Sequence, residues 1–191
     1  MKRISVFCGS NTGSDPVYAD ATQQFAHVLV QNDLGAVFGG GKVGLMGVLA
    51  EAMIENKGEI IGVIPQKLMD RELAHNGITE LHVVDTMHQR KALIANLSDA
   101  FVALPGGIGT MEEIIEVYTW SQLGYHHKPC GFLNIDGYFN KFGEFLDEMV
   151  QKGFLRQIHR DTLMIEEDPI KLIHRILNEV PEYHEKWIEG L

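Results

Sequence analysis

Phe101-Val102-Ala103-Leu104-Pro105-Gly106-Gly107-Ile108-Gly109-Thr110-Met111-Glu112-Glu113 is the stretch that decides the reading of this chain. Its first four residues are apolar without alternation, as a strand buried on both faces of a parallel sheet must be. The glycines that follow let the backbone turn tightly and come close to a ligand. A helix predicted from Met111 to Leu123 then offers unpaired N–H groups that favour an anion. The stretch reads as a phosphate cradle with a carboxylate beside it.

Outward from this point, short apolar runs alternate with longer amphipathic ones. Ile4–Cys8, Ala36–Phe38, Ile60–Ile64, Leu81–Val84 and Gly131–Leu133 join Phe101–Leu104 as predicted strands. Asp15 and Pro16 read as the N-cap and first residue of a helix, and Tyr18, Ala21, Phe25, Val28 and Leu29 keep helical spacing to Asp33. Further helices are predicted over Leu45–Asn56, Met87–Leu97, Tyr138–Gly153 and Pro169–Glu179, with a terminal helix or loosely packed end after Pro181. Strand–helix alternation implies right-handed crossovers and a Rossmann-like, doubly wound parallel sheet with helices on both faces. With 191 residues, 45% of them hydrophobic, the chain suits one such α/β domain spanning 1–191.

Composition narrows the partners. A formal net charge of −10 opposes a nucleic-acid or anionic-membrane surface, so a phosphate has to be held by local donors in a small pocket. Cys8 and Cys130 are the two cysteines, which gives no disulfide framework and fits a reducing cytoplasm. The apolar run after Lys2-Arg3 is too short for a signal peptide, and no stretch reaches transmembrane length. The nine histidines lack metal-ligand spacing, so no metal site is expected. Cys8 reads as a small core residue rather than a nucleophile.

In a doubly wound sheet, ligands sit beyond the carboxyl ends of the strands, where the strand order reverses. Three glycine loops are expected at that edge: Cys8 to Gly13, Gly39 to Gly44, and Pro105 to Thr110. The middle one matches Gly-x-Gly-x-x-Gly, but it follows the second strand rather than the first. The next strand also ends in Ile64-Pro65 instead of the acidic residue that would hold a ribose. Nor does it close with the Gly-Lys-Ser/Thr of a Walker loop.

Two side-chain constellations carry open alternatives. Arg90 and Lys91 lie near the start of a helix whose dipole disfavours cations, so the pair is either a solvated surface feature tied to Asp85 or Glu80, or a ligand-binding pair. Thr110-x-x-Glu113 matches a capping box, which by itself would account for both residues, while Glu112 and Glu116 are expected to face solvent or the helix flank.

Taken together, Cys8-Gly9-Ser10, Gly39-Gly40-Gly41 with Val43-Gly44-Leu45-Met46-Gly47, Met87-His88-Gln89-Arg90-Lys91, Pro105-Gly106-Gly107-x-Gly109-Thr110-x-x-Glu113 and Thr119-Trp120-x-Gln122-Leu123-Gly124 resemble the Lonely Guy (LOG) family of cytokinin-activating enzymes. The resemblance runs from about Lys2 to Asn140. It implies a phosphoribohydrolase that cuts the N-glycosidic bond of N6-modified adenosine 5′-monophosphates, releasing the base and ribose 5-phosphate, in a group often labelled lysine decarboxylases. It further implies Arg90 and Glu113 as the catalytic pair. Lys91, Gly106, Gly107, Gly109 and Thr110 would line the nucleotide site, with Glu72 and Thr119 as further substrate contacts and Ser10, Gly40 and Gly41 around phosphate and sugar. A homodimer is implied as well, and the hydrolysis itself calls for no metal or organic cofactor. His75-Asn76-Gly77 departs from the plant-like pattern near the expected base pocket.

The residue types suit that chemistry. Positive charge builds on the ribose as the bond breaks, and a carboxylate can stabilise it and orient or deprotonate the attacking water. An arginine guanidinium stays protonated at ordinary pH, so Arg90 serves to hold or polarise rather than to donate. Glu72 is the candidate second carboxylate for protonating the leaving base. An AMP nucleosidase and a non-catalytic nucleotide-binding protein share these motifs, whereas a pyridoxal enzyme would need a Schiff-base lysine in a recognisable setting.

Overall fold

The computed structural model describes residues 2–70 and 74–179. Its seven strands are β1 (Arg3–Phe7), β2 (Gly35–Phe38), β3 (Ile60–Pro65), β4 (Glu80–Val84), β5 (Ala100–Ala103), β6 (Cys130–Leu133) and β7 (Leu163–Glu166). They form one sheet in the order β4-β3-β2-β1-β5-β6-β7, and every neighbouring pair is parallel. The helices are α1 (Val17–Gln31), α2 (Gly44–Glu55), α3 (Gln66–Met69), α4 (Met87–Leu97), α5 (Ile108–Gln122), α6 (Asn140–Gln151), α7 (Gln157–Asp161) and α8 (Pro169–Asn178). Among the described residues no helix is long and apolar enough to cross a membrane.

Alternation along the strands sorts the side chains into two cores. Ile4, Val6, Ala36, Phe38, Val102 and Leu104 pack on one face with Phe25 and Leu29 of α1, Leu49 and Met53 of α2 and Leu172 and Ile176 of α8. Phe7, Val37, Val63, Phe101 and Phe132 pack on the other with Ile94 of α4, Ile114 and Val117 of α5, Phe139 and Leu146. The central strands β1, β2, β3, β5 and β6 are therefore apolar on both sides, which is what made them legible. β4 lies at one edge with exposed and half-buried positions.

Three expectations are adjusted. β7 and the short helices α3 and α7 were not anticipated, and β7 is only four residues long, two of them half-buried, so it carries little periodic signal. The segment after Pro181 lies outside the described residues. Helix α5 starts at Ile108 rather than Met111, with Gly107 as its N-cap in an extended conformation (φ −87°, ψ −160°). At α1 the shift is one residue: the helix begins at Val17, and the Asp15 carboxylate still accepts from the Val17 N–H at 2.9 Å.

Strand order reverses between β1 and β5: β2, β3 and β4 are laid down on one side of β1, and β5, β6 and β7 on the other. Helices leaving these two strands go to opposite faces, so their loops part and leave a crevice. The Gly9 N–H donates to the Pro105 carbonyl at 3.0 Å and ties the two loops at its floor. The Gly39–Gly44 loop joins them, since the Leu45 N–H donates to the Gly9 carbonyl at 3.0 Å. All three predicted glycine loops thus meet at one sheet edge.

Candidate active site

Two adjoining cavities open at this edge. One, of about 340 Å³, is lined by Cys8, Ser10, Met46, Met87, Arg90, Gly107, Ile108, Gly109, Thr110, Glu112 and Glu113. The other, of about 220 Å³, is lined by Ser10 to Gly13, Tyr18, Leu45, Gly106, Gly107 and Tyr138, among others. Ser10 and Gly107 belong to both, so the glycine loop is the wall between them.

Arg90 and Glu113 are the charged centre of the larger cavity. Arg90 is set by the start of α4, where Thr86 and Gln89 form a capping box: the Gln89 N–H donates to the Thr86 hydroxyl at 3.1 Å, and the Thr86 N–H to the Gln89 side chain at 3.2 Å. One turn on, the buried Arg90 guanidinium donates through Nε to the Val63 carbonyl at 3.1 Å and through Nη1 to Glu113 Oε1 at 2.6 Å. Gly39 makes room for it, because a Cβ there would lie 2.0 Å from Arg90 Nη2. Glu113 comes from the second turn of α5, and its side chain is 14% exposed. Burial pushes the Glu113 carboxyl above the usual carboxylate range, and the adjacent Arg90 only partly offsets this.

The capping-box reading of Thr110 and Glu113 is corrected by this geometry. Both lie inside α5 and no side chain caps that helix. Thr110 is instead buried against the loop, where a Cβ on Gly106 would fall 2.1 Å from its Oγ1. The first turn of α5 therefore keeps its N–H groups free of side-chain acceptors, next to Gly107 and Gly109, where an added Cβ would meet nothing within 4 Å. Neither glycine has a positive φ or a packing reason to lack a side chain. Open space at both is what a ligand lying on the backbone requires.

Lys91 is tied to neither Asp85 nor Glu80. Its ammonium pairs with Glu112 and lies 3.2 Å from Glu116, so these two carboxylates do not simply face solvent. Burial alone would depress the Lys91 amine, but Glu112 and Glu116 hold it above its ordinary value. This explains how two cations are tolerated near a helix start: α5 presents three carboxylates across from them. Cys8, buried beside the cavity, is driven upward by desolvation and by the Glu113 charge, so it stays a thiol, as a core residue would.

The structure brings Ser10, Arg90, Gly106, Gly107, Gly109, Thr110 and Glu113 to the cavities, with Lys91 one contact behind. Gly40 and Gly41 are not brought there. Both are buried; Gly40 has φ +74° with Ile64 and Leu81 against it, and Gly41 bridges to Ala74. Their smallness is explained by backbone geometry. Thr119 is exposed on α5, gives its hydroxyl to the Ile115 carbonyl at 2.7 Å and lines neither cavity. Glu72 lies outside the described residues. The His75 loop docks on the glycine loop, its N–H donating to the Gly40 carbonyl at 3.0 Å. Sequence reading missed Met46, Met87, Tyr18 and Tyr138 as lining residues; only their nearness to glycine loops and the Arg-Lys pair could have signalled the first two.

Fold and site place the chain in a class: a Rossmann-like α/β protein whose crevice at the sheet's switch point holds a buried Arg–Glu pair. A family model described as possible lysine decarboxylase matches residues 46–176. The chain is 45% identical over 191 residues, all of it and 78% of the relative, to the probable cytokinin riboside 5′-monophosphate phosphoribohydrolase LOGL2 of Oryza sativa subsp. japonica. It is also 45% identical over 185 residues, 97% of it and 85% of the relative, to the cytokinin riboside 5′-monophosphate phosphoribohydrolase LOG7 of Arabidopsis thaliana. The chain belongs to this LOG family. Among solved structures, the molybdenum cofactor carrier protein of Chlamydomonas reinhardtii superposes with a TM-score of 0.71 at 16% identity, covering 93% of this chain and 99% of that one. The molybdenum cofactor binding protein of Rippkaea orientalis gives 0.68 at 20%, covering 93% and 98%. These two share the fold.

Proposed function

We propose that this protein hydrolyses the N-glycosidic bond of N6-modified adenosine 5′-monophosphates to the free base and ribose 5-phosphate. The observation that carries the reading is the buried Arg90–Glu113 pair, 2.6 Å apart, facing one cavity with the uncapped start of α5. The 45% identity, over nearly all of this chain, to proteins named as phosphoribohydrolases supports it. In this reading the 5′-phosphate lies on the N–H groups of α5 beside Gly107, Gly109 and Thr110, with Ser10 opposite. Glu113 faces C1′. As the C1′–N9 bond breaks, its electron pair goes to the purine, and positive charge on the ribose is stabilised by the carboxylate. Water adds to C1′ and gives its proton to Glu113, whose raised affinity for protons suits it as a base; the purine takes up one proton from solvent to leave as the neutral base, and Glu113 returns its own to solvent. Arg90 holds Glu113 in place and supplies fixed positive charge; it transfers no proton.

The finer reading is a homodimer in a reducing cytoplasm. Thr119, exposed and away from its own chain's cavities, fits a contact made from a second copy, and both cysteines are free and buried. Light scattering checks the assembly. The function is tested by incubating N6-isopentenyl-AMP, AMP and the corresponding nucleosides with the protein and following free base by chromatography. Release from N6-isopentenyl-AMP well above that from AMP is expected. Preference for AMP would shift the reading to an AMP nucleosidase, and binding without release to a nucleotide-binding protein.

A further inference from the structure

We infer that Tyr138 is a positioning residue for the anion site, acting through the Gly106–Gly107 peptide. Its hydroxyl reaches across 32 residues of sequence to donate to the Gly106 carbonyl at 2.6 Å. A peptide unit is planar and trans, so its C=O and its N–H point in opposite directions. With the Gly106 oxygen turned to Tyr138, the Gly107 N–H is turned away from it, across the loop. Gly107 is the wall shared by the two cavities and has no neighbour where its Cβ would be. The tyrosine therefore aims the N–H that precedes the uncapped first turn of α5, extending that turn's set of donors by one.

The loop needs such a hold at this unit and not elsewhere. The Pro105 carbonyl is fixed by the Gly9 N–H at 3.0 Å, and the Gly107 carbonyl by the Met111 N–H at 3.2 Å. Gly106 is wedged so closely against Thr110 and Gly9 that no Cβ fits. Between these points lies one peptide with glycine on both sides, the unit with the widest choice of backbone angles. Its plane can rotate while its ends stay put. The Tyr138 hydroxyl is the side-chain contact that fixes that rotation.

Tyr138 is itself delivered with care. Although 46% exposed, its ring meets Tyr18 edge-on at 6.0 Å and Phe139 at 5.0 Å, with interplanar angles of 79° and 89°. It follows Asp136 and Gly137, whose φ values are 52° and 67°. A non-glycine residue in the left-handed region is uncommon and strained, and is kept where surrounding structure over-determines it. Here the turn sends a solvent-facing tyrosine back over the glycine loop.

This inference rests on the proposed nucleotide site, and the test separates the two. AMP, ribose 5-phosphate and adenosine are titrated by calorimetry into the full chain and into Tyr138→Phe, which removes only the hydroxyl. Loss of one neutral hydrogen bond behind one donor is expected to weaken AMP and ribose 5-phosphate about threefold to tenfold. Adenosine, which lacks the phosphate, should be unaffected. Tyr18→Leu, which unseats the ring without touching the hydroxyl, should shift the phosphate ligands in the same direction. If Tyr138→Phe binds AMP as the unmodified chain does, or weakens AMP and adenosine by the same factor, the positioning role is overturned whatever happens to thermal stability. If the unmodified chain binds neither AMP nor ribose 5-phosphate, the nucleotide reading falls and this inference with it.

Discussion

Arg90 on α4 and Glu113 on α5 meet at 2.6 Å with 10% and 14% of their side chains exposed, 23 residues apart in sequence. Each helix follows a different strand, so the contact exists only because β5 lies beside β1 and carries α5 over the cavity floor. Removing two charges from water costs several kcal/mol apiece unless geometry and further hydrogen bonds compensate. The second Arg90 bond, to the Val63 carbonyl, supplies part of that compensation. The rest is a cost consistent with a site kept for chemistry.

Glu113→Gln tests the carboxylate directly. The amide keeps an oxygen for Arg90 but loses charge and basicity. The rate of base release should fall by roughly 10²–10³, the usual loss when one transition-state electrostatic partner is removed. Tm should fall by several degrees, because the buried Arg90 guanidinium loses its counter-charge, so turnover is read on protein that a melting curve shows to be folded. Steady-state kinetics beside a melting curve decide it; normal turnover by a folded Glu113→Gln protein ends the catalytic assignment.

Glu113 also sets a pH dependence. Its folded-state proton affinity lies above the ordinary value, mainly through burial, so the ionised form that the proposed mechanism needs disappears as pH falls through that raised value. The acid limb of kcat/KM should therefore lie above about pH 4.3, where an unperturbed glutamate titrates. Stability runs the opposite way: between the two values the folded chain holds more protons than the unfolded one, so this group's contribution declines as pH rises through the window. Glu112, whose charge helps raise Glu113, gives a control. Glu112→Gln should move the acid limb to lower pH; a limb that moves up, or stays, contradicts the coupling.

Arg90 and Lys91 should respond differently to exchange. Arg90 uses two arms of its guanidinium on two acceptors that face it from different elements, a geometry an ammonium cannot reproduce. Lys91 is a point charge between Glu112 and Glu116. Arg90→Lys is expected to lose at least about tenfold more activity than Lys91→Arg, taking about 1.4 kcal/mol as the smallest difference between a forked and a single contact. Equal activities would reduce the pair to a general positive field.

The glycines divide by mechanism. Gly106→Ala places a Cβ 2.1 Å from Thr110 Oγ1 and 2.8 Å from the Gly9 nitrogen, so it should lower Tm by several degrees. Gly107→Ala and Gly109→Ala meet nothing within 4 Å and have negative φ. Gly109→Ala, inside α5, should raise stability by up to about 1 kcal/mol through helix propensity. Both should raise KM for the monophosphate. Unchanged KM in both would remove the backbone cradle from the site.

Sequence alone determined the central strands of the sheet, because strands buried on both faces carry unbroken apolar runs, whereas the half-buried edge strand β7 carried no such signal. It determined too that three glycine loops would share one edge, since the carboxyl ends of parallel strands point the same way. What it could not determine is which of two equivalent local patterns becomes a cap. Thr86-x-x-Gln89 and Thr110-x-x-Glu113 have the same spacing, yet the first closes on its own backbone and the second does not. Tertiary structure decided this: extended backbone at Gly107 starts α5 early, and Arg90, fixed to β3 through Val63, draws Glu113 inward. The same holds for Gly40 and Gly41, indistinguishable in sequence from ligand-cradling glycines but buried for packing. Local spacing lists the hydrogen-bonding choices open to a side chain, and long-range packing, by fixing where the competing charges sit, selects among them.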